Sequence, residues 1–320
     1  MNQSTLLPPH AASTDPDLAE QARPGHGVPS QDPNPEAQVA LAPEAATAVA
    51  APSDAVRLHI EDNGGSGRPV VLIHGWPLSA KAWEPQVSAL REAGYRVVAY
   101  DRRGFGRSDK PESGYSYDTL ADDLQRVMDQ CGLQDATLVG FSMGGGEVAR
   151  YVARHGESRL RSVVFAAAVP PCLMKSADNP DGPLTPEKAQ EKAAAFEGDR
   201  GAYFNQFTTT FFTADGVLQV TEAQRREAIA VCEQSAPHAA LACMEAFATT
   251  DFREDLKQLT LPTLVIHGGS DAIVPFEGSG QRTHRAVPHS RLVLVKGAPH
   301  GLNVSHAPQF NDALLTFLRE

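Results

Sequence analysis

Residues 136–149 read ATLVGFSMGGGEVA, an apolar run that ends in Gly140-Phe141-Ser142-Met143-Gly144 and passes directly into a helical pattern. This arrangement predicts a nucleophile elbow, in which a serine lies on a tight turn between a strand and a helix. The turn is so sharp that only glycine fits two residues before and two residues after the serine. The sequence therefore predicts that Ser142 presents a reactive hydroxyl, with the N–H of Met143 facing the same oxygen.

A serine nucleophile needs a histidine base, a carboxylate that orients this base, and N–H donors that stabilise the oxyanion. Residues 261–271 read LPTLVIHGGSD, an apolar strand that ends shortly before Asp271. Residues 290–300 read SRLVLVKGAPH, an alternating strand and a turn that lead to His300. The chain order serine, aspartate, histidine is that of the α/β-hydrolase arrangement. We therefore predict Asp271 as the acid and His300 as the base.

Other aspartates and histidines compete for these two roles. Asp251 and Asp255 precede the strand instead of following it, so their expected geometry is worse. His74 and His267 each precede a glycine at the end of a strand, where histidine more often braces a loop by hydrogen bonds, and His306 is a third competitor for the base. The aspartate and the histidine that follow consecutive strands remain the better candidates.

Two further loops follow predicted strands. Residues 69–79 read PVVLIHGWPLS, a buried strand that ends before Trp76, whose N–H is a candidate second donor to the oxyanion. Residues 101–106 read DRRGFG, which lacks both the third glycine of a dinucleotide-binding motif and the Lys-Ser/Thr pair of a phosphate loop. The second loop is therefore predicted to be structural.

The segments HGWPLS, YDRRGFGRSD, GFSMGGGEVARY, VPFEGSG and GAPHGLN together resemble those of the cofactor-free, non-haem haloperoxidases and aryl esterases, a group of α/β-hydrolases. The resemblance extends over residues 46–320. It implies a triad of Ser142, Asp271 and His300, and an oxyanion hole formed by the backbone of Trp76 and Met143. It also implies hydrolysis of small esters without a metal or organic cofactor, and a side reaction in which hydrogen peroxide replaces water. Members of this group often form trimers or larger assemblies, so a homo-oligomer is expected.

Several related functions remain open at this point. An epoxide hydrolase or haloalkane dehalogenase of this fold would carry a carboxylate at the elbow, and Ser142 excludes both. A lactonase or a carbon-carbon bond hydrolase would use the same triad, so the motifs do not separate either from an esterase. A non-catalytic binding protein of this fold would be expected to lack a triad residue, whereas all three are present. The predicted small-molecule partners are an ester or carboxylic acid, together with hydrogen peroxide.

Strands and helices alternate along most of the chain. Predicted strands lie at residues 56–62, 70–74, 96–100, 136–141, 160–168, 263–267 and 291–295, and predicted helices at 81–93, 118–131, 145–155, 277–286 and 307–318. This alternation predicts an α/β fold with a mainly parallel, doubly wound sheet, here the α/β-hydrolase fold.

Residues 170–250 interrupt the alternation and predict a helical cap inserted over the active site. They contain three helical patterns and no clear strand. Aromatic residues spaced by four share one face of a helix, so Phe207 and Phe211 are candidates for contact with a substrate. Phe141 and Ile273 are the other two predicted substrate contacts.

Composition limits the class of protein. With 320 residues, 42% of them hydrophobic, the chain is long enough for one large α/β domain, which we place at residues 45–320. A net charge of -11 argues against a nucleic-acid partner, which would require a basic patch. No stretch reaches the ~20 apolar residues of a membrane span. The four cysteines show no metal-binding spacing and are predicted to be free thiols in a reducing compartment, the cytoplasm.

Residues 1–44 differ in composition from the rest of the chain. They contain 8 of the 24 prolines, no aromatic residue, and 6 acidic residues against one arginine. Such a segment cannot bury enough apolar surface to offset the entropy lost on ordering. We therefore predict a disordered tail without a catalytic role.

Deletion of residues 1–44 is expected to leave kcat/KM for a small ester within about twofold of the full chain, because a charged, proline-rich segment has no buried contact to lose. Steady-state kinetics and the Tm of both proteins test this expectation. A large fall in either quantity would show that the segment packs on the core.

Overall fold

The computed structural model describes residues 56–320, so the predicted disordered tail at 1–44 and the start of the domain at residue 45 lie outside the described residues. The strands in the described range are β1 (Ile60–Asp62), β2 (Pro69–Ile73), β3 (Arg96–Tyr100), β4 (Ala136–Phe141), β5 (Leu160–Ala166), β6 (Thr213–Ala214), β7 (Val217–Leu218), β8 (Thr263–Gly268) and β9 (Arg291–Val295). The first strand begins at Ile60 and is thus shorter than the predicted 56–62.

A seven-stranded sheet in the order β1-β3-β2-β4-β5-β8-β9 forms the centre of the part of the chain that the structure describes. β1 pairs with β3 in an antiparallel manner, and all the other neighbours in this sheet are parallel. The six parallel strands therefore end at the same edge of the sheet. β4 and β8 are buried along their whole length, as expected for strands covered on both faces. The prediction of a mainly parallel α/β sheet is confirmed.

Helices cover the sheet and connect its strands. They are α1 (Glu84–Glu92), α2 (Tyr117–Gln130), α3 (Met143–His155), α4 (Pro186–Gly198), α5 (Arg200–Phe212), α6 (Glu222–Glu233), α7 (Pro237–Thr249), α8 (Arg253–Leu256), α9 (Gly280–Ala286), α10 (Leu302–Ser305) and α11 (Ala307–Leu318). Four of them begin at a side chain that accepts a hydrogen bond from the first turn, namely Ser116, Thr185, Asp199 and Thr221. These caps satisfy amide groups that would otherwise lack a partner.

The segment between β5 and β8 contains more elements than the sequence pattern predicts. It holds α4 to α8 and the β6–β7 hairpin, whereas three helical patterns and no strand were expected. The helix α7, PHAALACMEAFAT, is apolar on most of its surface because it lies between other elements. Apolar residues also occupy its partly exposed positions, so its sequence lacks the amphipathic period that identifies surface helices.

A buried ion pair joins the loop after β3 to the helix that follows the elbow. The side chains of Arg102 and Glu147 form this pair, and each is only 1% exposed. The phenol of Tyr100 donates a further hydrogen bond to Glu147 Oε2 over 2.7 Å. Burial opposes the charge on Arg102, but the attraction of Glu147 outweighs it and raises the pKa of the guanidinium. The loop at residues 101–106 is thus tied to α3 by a buried ion pair, and its structural role stays a prediction.

The substitution Glu147→Gln is expected to lower the free energy of unfolding by about 3 kcal/mol, because it leaves the Arg102 charge buried without a counter-charge. Chemical denaturation of the wild type and the variant measures this loss. Glu197→Gln is the matched control, since Glu197 is exposed on α4. Equal stabilities of the two variants would contradict the structural importance of the pair.

Candidate active site

Ser142 lies between β4 and α3 in a backbone conformation that few residues adopt. Its φ is 53° and its ψ is -117°. A positive φ in a residue with a side chain is strained and persists only where its surroundings enforce it. Here the Ser142 N–H donates to the carbonyl of Ala166, while the Ser142 carbonyl accepts from the N–H of Gly145 and of Val169. These hydrogen bonds fix the turn and direct the serine hydroxyl out of it.

The two flanking glycines permit a close approach of backbone atoms. A Cβ on Gly140 would lie 2.4 Å from the carbonyl oxygen of Gly144, and a Cβ on Gly144 would lie 2.4 Å from the carbonyl oxygen of Ile73. No side chain fits at either distance. The elbow therefore requires glycine at both positions, for the steric reason on which the sequence prediction rests.

The structure brings the three predicted triad residues together in one hydrogen-bonded chain. The Ser142 Oγ is 2.9 Å from Nε2 of His300, and Nδ1 of His300 is 2.6 Å from Oδ2 of Asp271. Asp271 follows β8 and His300 follows β9, so all three residues lie at the edge where the parallel strands end. In this arrangement Nδ1–H donates to the carboxylate, and Nε2 is free to accept the serine proton.

Additional donors hold the Asp271 carboxylate. Its Oδ1 accepts from the backbone N–H of Ile273 and of Val274, and Nε2 of His267 lies 3.2 Å from Oδ2. Burial opposes ionisation, but the attraction of His300 and the hydrogen bonds from His267 and His300 outweigh it. The pKa of Asp271 is thus held below its usual range. The carboxylate stays charged and keeps His300 in one orientation.

Three of the competing residues, Asp251, Asp255 and His74, have other partners, whereas His267 contacts the acid itself. Asp251 pairs with Arg253 near the surface, and Asp255 pairs with Arg150. His74 contacts the carbonyl of Gly75 through Nδ1 and accepts from the N–H of Arg102 through Nε2. Burial and the nearby Arg102 lower the pKa of His74 to about 3, so this histidine is neutral. Asp251, Asp255 and His74 form no hydrogen bond with Ser142, His300 or Asp271.

Two backbone amides next to the elbow lack a hydrogen-bond partner in the described residues. The N–H groups of Trp76 and Met143 have no hydrogen-bond acceptor among residues 56–320. Met143 is the first residue of α3, so the positive end of the helix dipole adds to its attraction for an anion. Both amides are available for the negative oxygen that develops when a serine attacks a carbonyl.

The Trp76 side chain connects this amide to the cap. Its indole Nε1–H donates to the carbonyl of Ala240 on α7 over 2.9 Å. Five aromatic rings from the cap surround the indole at centroid distances of 5.3–6.3 Å: Phe196, Tyr203, Phe204, Phe207 and Phe247. The sequence did not predict this ring cluster, because its members lie on three helices that meet only in the folded chain.

A cavity of about 730 Å³ opens above the triad. Ser142 and His300 lie in its wall together with Trp76, and the cap helices α4, α5 and α7 supply most of the remaining lining. Phe207 and Ile273 also line this cavity, where the sequence placed them as substrate contacts.

The two other predicted substrate contacts lie outside the cavity wall. Phe141 is fully buried, and Phe211 is 2% exposed; neither lines the cavity. Their rings lie 5.1 and 5.2 Å from the His300 ring and pack on it from two sides. Phe211 shares a helix face with Phe207, as expected, but α5 descends into the core over that one turn. Both phenylalanines therefore pack against the catalytic histidine candidate, and their contact with a substrate stays a prediction.

Three further findings concern metal binding, membrane spans and cysteine pairing in the described residues. No group of three or more histidine, cysteine, aspartate or glutamate side chains in residues 56–320 is arranged to hold a metal ion. Among the helices of that same range, none is both long and apolar enough to cross a bilayer. All four cysteines of the chain are unpaired.

Comparison with known proteins places the chain in a family. The family described as the alpha/beta hydrolase fold matches residues 68–307, and the chain belongs to it. A non-heme chloroperoxidase of Kitasatospora aureofaciens is 40% identical over 270 residues, which cover 83% of this chain and 98% of that protein. A bifunctional esterase/perhydrolase of Acinetobacter calcoaceticus is 36% identical over 272 residues, with 83% and 97% covered. The crystal structure of a bromoperoxidase from Bacillus anthracis superposes with a TM-score of 0.81 at 52% identity, covering 83% of this chain and 96% of that one.

The substitution Asp271→Asn is expected to lower kcat by a factor of about 10⁴, because the amide favours the tautomer of His300 that cannot accept the serine proton. Steady-state hydrolysis of an aryl ester measures the loss. Asp251→Asn is the matched control and is expected to retain wild-type kcat, since its partner Arg253 lies outside the cavity. A strong loss in the control with a mild loss at position 271 would identify a different carboxylate.

Proposed function

We propose that this protein hydrolyses small carboxylic esters through an acyl-enzyme on Ser142, and that hydrogen peroxide can replace water to give a peracid. The hydrogen-bonded chain from Ser142 through His300 to Asp271, at the wall of an apolar cavity, is the observation that carries the proposal. The names of the relatives, esterase/perhydrolase and non-heme chloroperoxidase, support both parts of it.

Acylation is the first half of the reaction. Nε2 of His300 takes the proton as Ser142 Oγ attacks the ester carbonyl carbon, and the amides of Trp76 and Met143 bind the resulting oxyanion. The bond to the leaving group then breaks, and His300 returns the proton to the departing alcohol or phenol. The acyl group remains on the serine oxygen.

Deacylation repeats these steps with a second nucleophile. His300 takes a proton from water as the water oxygen attacks the acyl carbon, and the carboxylic acid leaves as the serine regains the proton. When hydrogen peroxide attacks in place of water, the same proton transfers release a peracid. Both outcomes require one base and one oxyanion site, so a single set of residues serves the two reactions.

We also propose the cytoplasm as the location of the enzyme. The support is that Cys131, Cys172, Cys232 and Cys243 are all free thiols, as is usual in a reducing compartment. The homo-oligomer implied by the family resemblance stays a prediction.

A serine-directed fluorophosphonate is expected to add one phosphonyl group to the wild type and none to Ser142→Ala. Ser162→Ala is the matched control and should be labelled like the wild type, because Ser142 and Ser162 are both 6% exposed and only Ser142 contacts a histidine. Intact-protein mass spectrometry reads the adduct. Aryl-ester hydrolysis and peracid formation are then measured on the same three proteins.

Both activities are expected to fall together by several orders of magnitude in Ser142→Ala, with little added loss when His300→Ala is combined with it. Peracid formation that survives in Ser142→Ala would separate perhydrolysis from the acyl-enzyme. Labelling of that variant at another serine would assign the nucleophile elsewhere.

A further inference from the structure

Two lysines of the cap line the same cavity as the proposed nucleophile. Lys188 and Lys192 lie on α4, and both belong to the wall that also contains Ser142 and His300. They are four residues apart and thus share one face of the helix. Phe196, a further four residues along, is buried against the Trp76 ring, so this face is directed toward the site. With a rise of about 1.5 Å per residue, the two lysine Cα atoms lie about 6 and 12 Å along the axis from that of Phe196.

Neither lysine forms an ion pair within residues 56–320, although the carboxylate of Glu191 lies near Lys192. In residues 56–320 the lysine that takes part in an ion pair is Lys257, with Glu254. The cavity wall contains one carboxylate, that of Glu245 on α7, which forms no ion pair within the described range. Both lysines are exposed at the cavity wall. Partial desolvation and the like charge of Lys188 lower the pKa of Lys192, and the nearby Glu191 opposes this shift.

The two like charges lie close together on the helix. Such pairs four residues apart destabilise a helix slightly, and an anion held between them would remove this repulsion. The whole chain carries a charge of -11 and therefore repels anions in general. Among the lysine, aspartate and glutamate side chains that line the cavity, Lys188 and Lys192 nevertheless outnumber Glu245 by one positive charge. A single negative charge on a bound molecule would neutralise it.

We propose that Lys188 and Lys192 bind a carboxylate carried by the substrate at the end remote from the reacting carbonyl. This inference rests on the proposed attack of Ser142 on an ester. It assigns the substrates to the half-esters of dicarboxylic acids, and to lactones that bear a free carboxylate. The ammonium groups act as point charges on flexible stems, so they select for charge and reach and tolerate different chain lengths.

The test compares two esters that release the same leaving group, para-nitrophenol. The mono-para-nitrophenyl ester of adipic acid carries the remote carboxylate, and its methyl diester is the neutral reference of similar length. The ratio of kcat/KM for the anionic ester to that for the diester is measured for the full-length wild type and for Lys188→Gln, Lys192→Gln, the double variant and Lys257→Gln. Lys257→Gln is the control, because this lysine lies outside the cavity wall. The diester rate shows that each variant is folded.

We expect the wild-type ratio to exceed one and to fall about tenfold in the double variant, with most of the change in KM. Each single variant should account for part of the fall, and Lys192→Glu should lower the ratio further than Lys192→Gln. Added salt should lower the wild-type ratio and leave that of the double variant nearly constant. Lys257→Gln should keep the wild-type ratio.

A ratio in the double variant within twofold of the wild type would overturn the assignment of these lysines. Failure of the underlying function has a different signature: the wild type would not hydrolyse the neutral diester, or Ser142→Ala would hydrolyse it equally well. Normal serine-dependent hydrolysis of the diester with an unmoved ratio would refute the lysine proposal alone.

Discussion

The close approach of backbone atoms around Ser142 is the constraint on which the rest of the site depends. Because Gly140 and Gly144 carry no side chain, α3 can begin almost in contact with the carboxyl end of β2. This contact sets the first amide of α3 beside the loop that holds Trp76. The order of the strands then places the acid and the base next to the elbow. Asp271 follows β8 and His300 follows β9, and both strands end at the same edge of the sheet. A change in the elbow would therefore displace every group of the proposed mechanism at once.

A network of polar contacts around Arg102 lies beneath the site and joins the elements that form it. Arg102 pairs with Glu147 on α3, donates a side-chain hydrogen bond to the carbonyl of His74, and donates its backbone N–H to the His74 ring. The oxyanion loop and the nucleophile helix are thus joined through one buried guanidinium. Such a network is costly to desolvate and is retained only when all its members are satisfied. It fixes the relative positions of the two amides to which we assign the oxyanion.

The sequence predicted those parts of the site that depend on local pattern. Ser142, Asp271 and His300 could be identified because each follows a recognisable strand, and parallel strands bring their ends together regardless of the intervening chain. The second histidine on the acid, His267, was interpreted only as a loop brace, because its distance from the carboxylate depends on the path of the loop. Phe211 was assigned to the substrate because a shared helix face does not reveal where the helix enters the core. The ring cluster around Trp76 unites distant segments, and no local signal marks it.

Because the Trp76 indole is attached to the cap, the residues of the cap fall into two groups: those that touch the indole and those that do not. Residues that touch the indole, such as Phe247, pack on the side chain of the same residue whose amide we assign to the oxyanion. Positions on α4 that face the cavity without touching the indole lack this link. Substitutions there are therefore expected to change which acyl groups the cavity accepts while leaving the Trp76 loop in place.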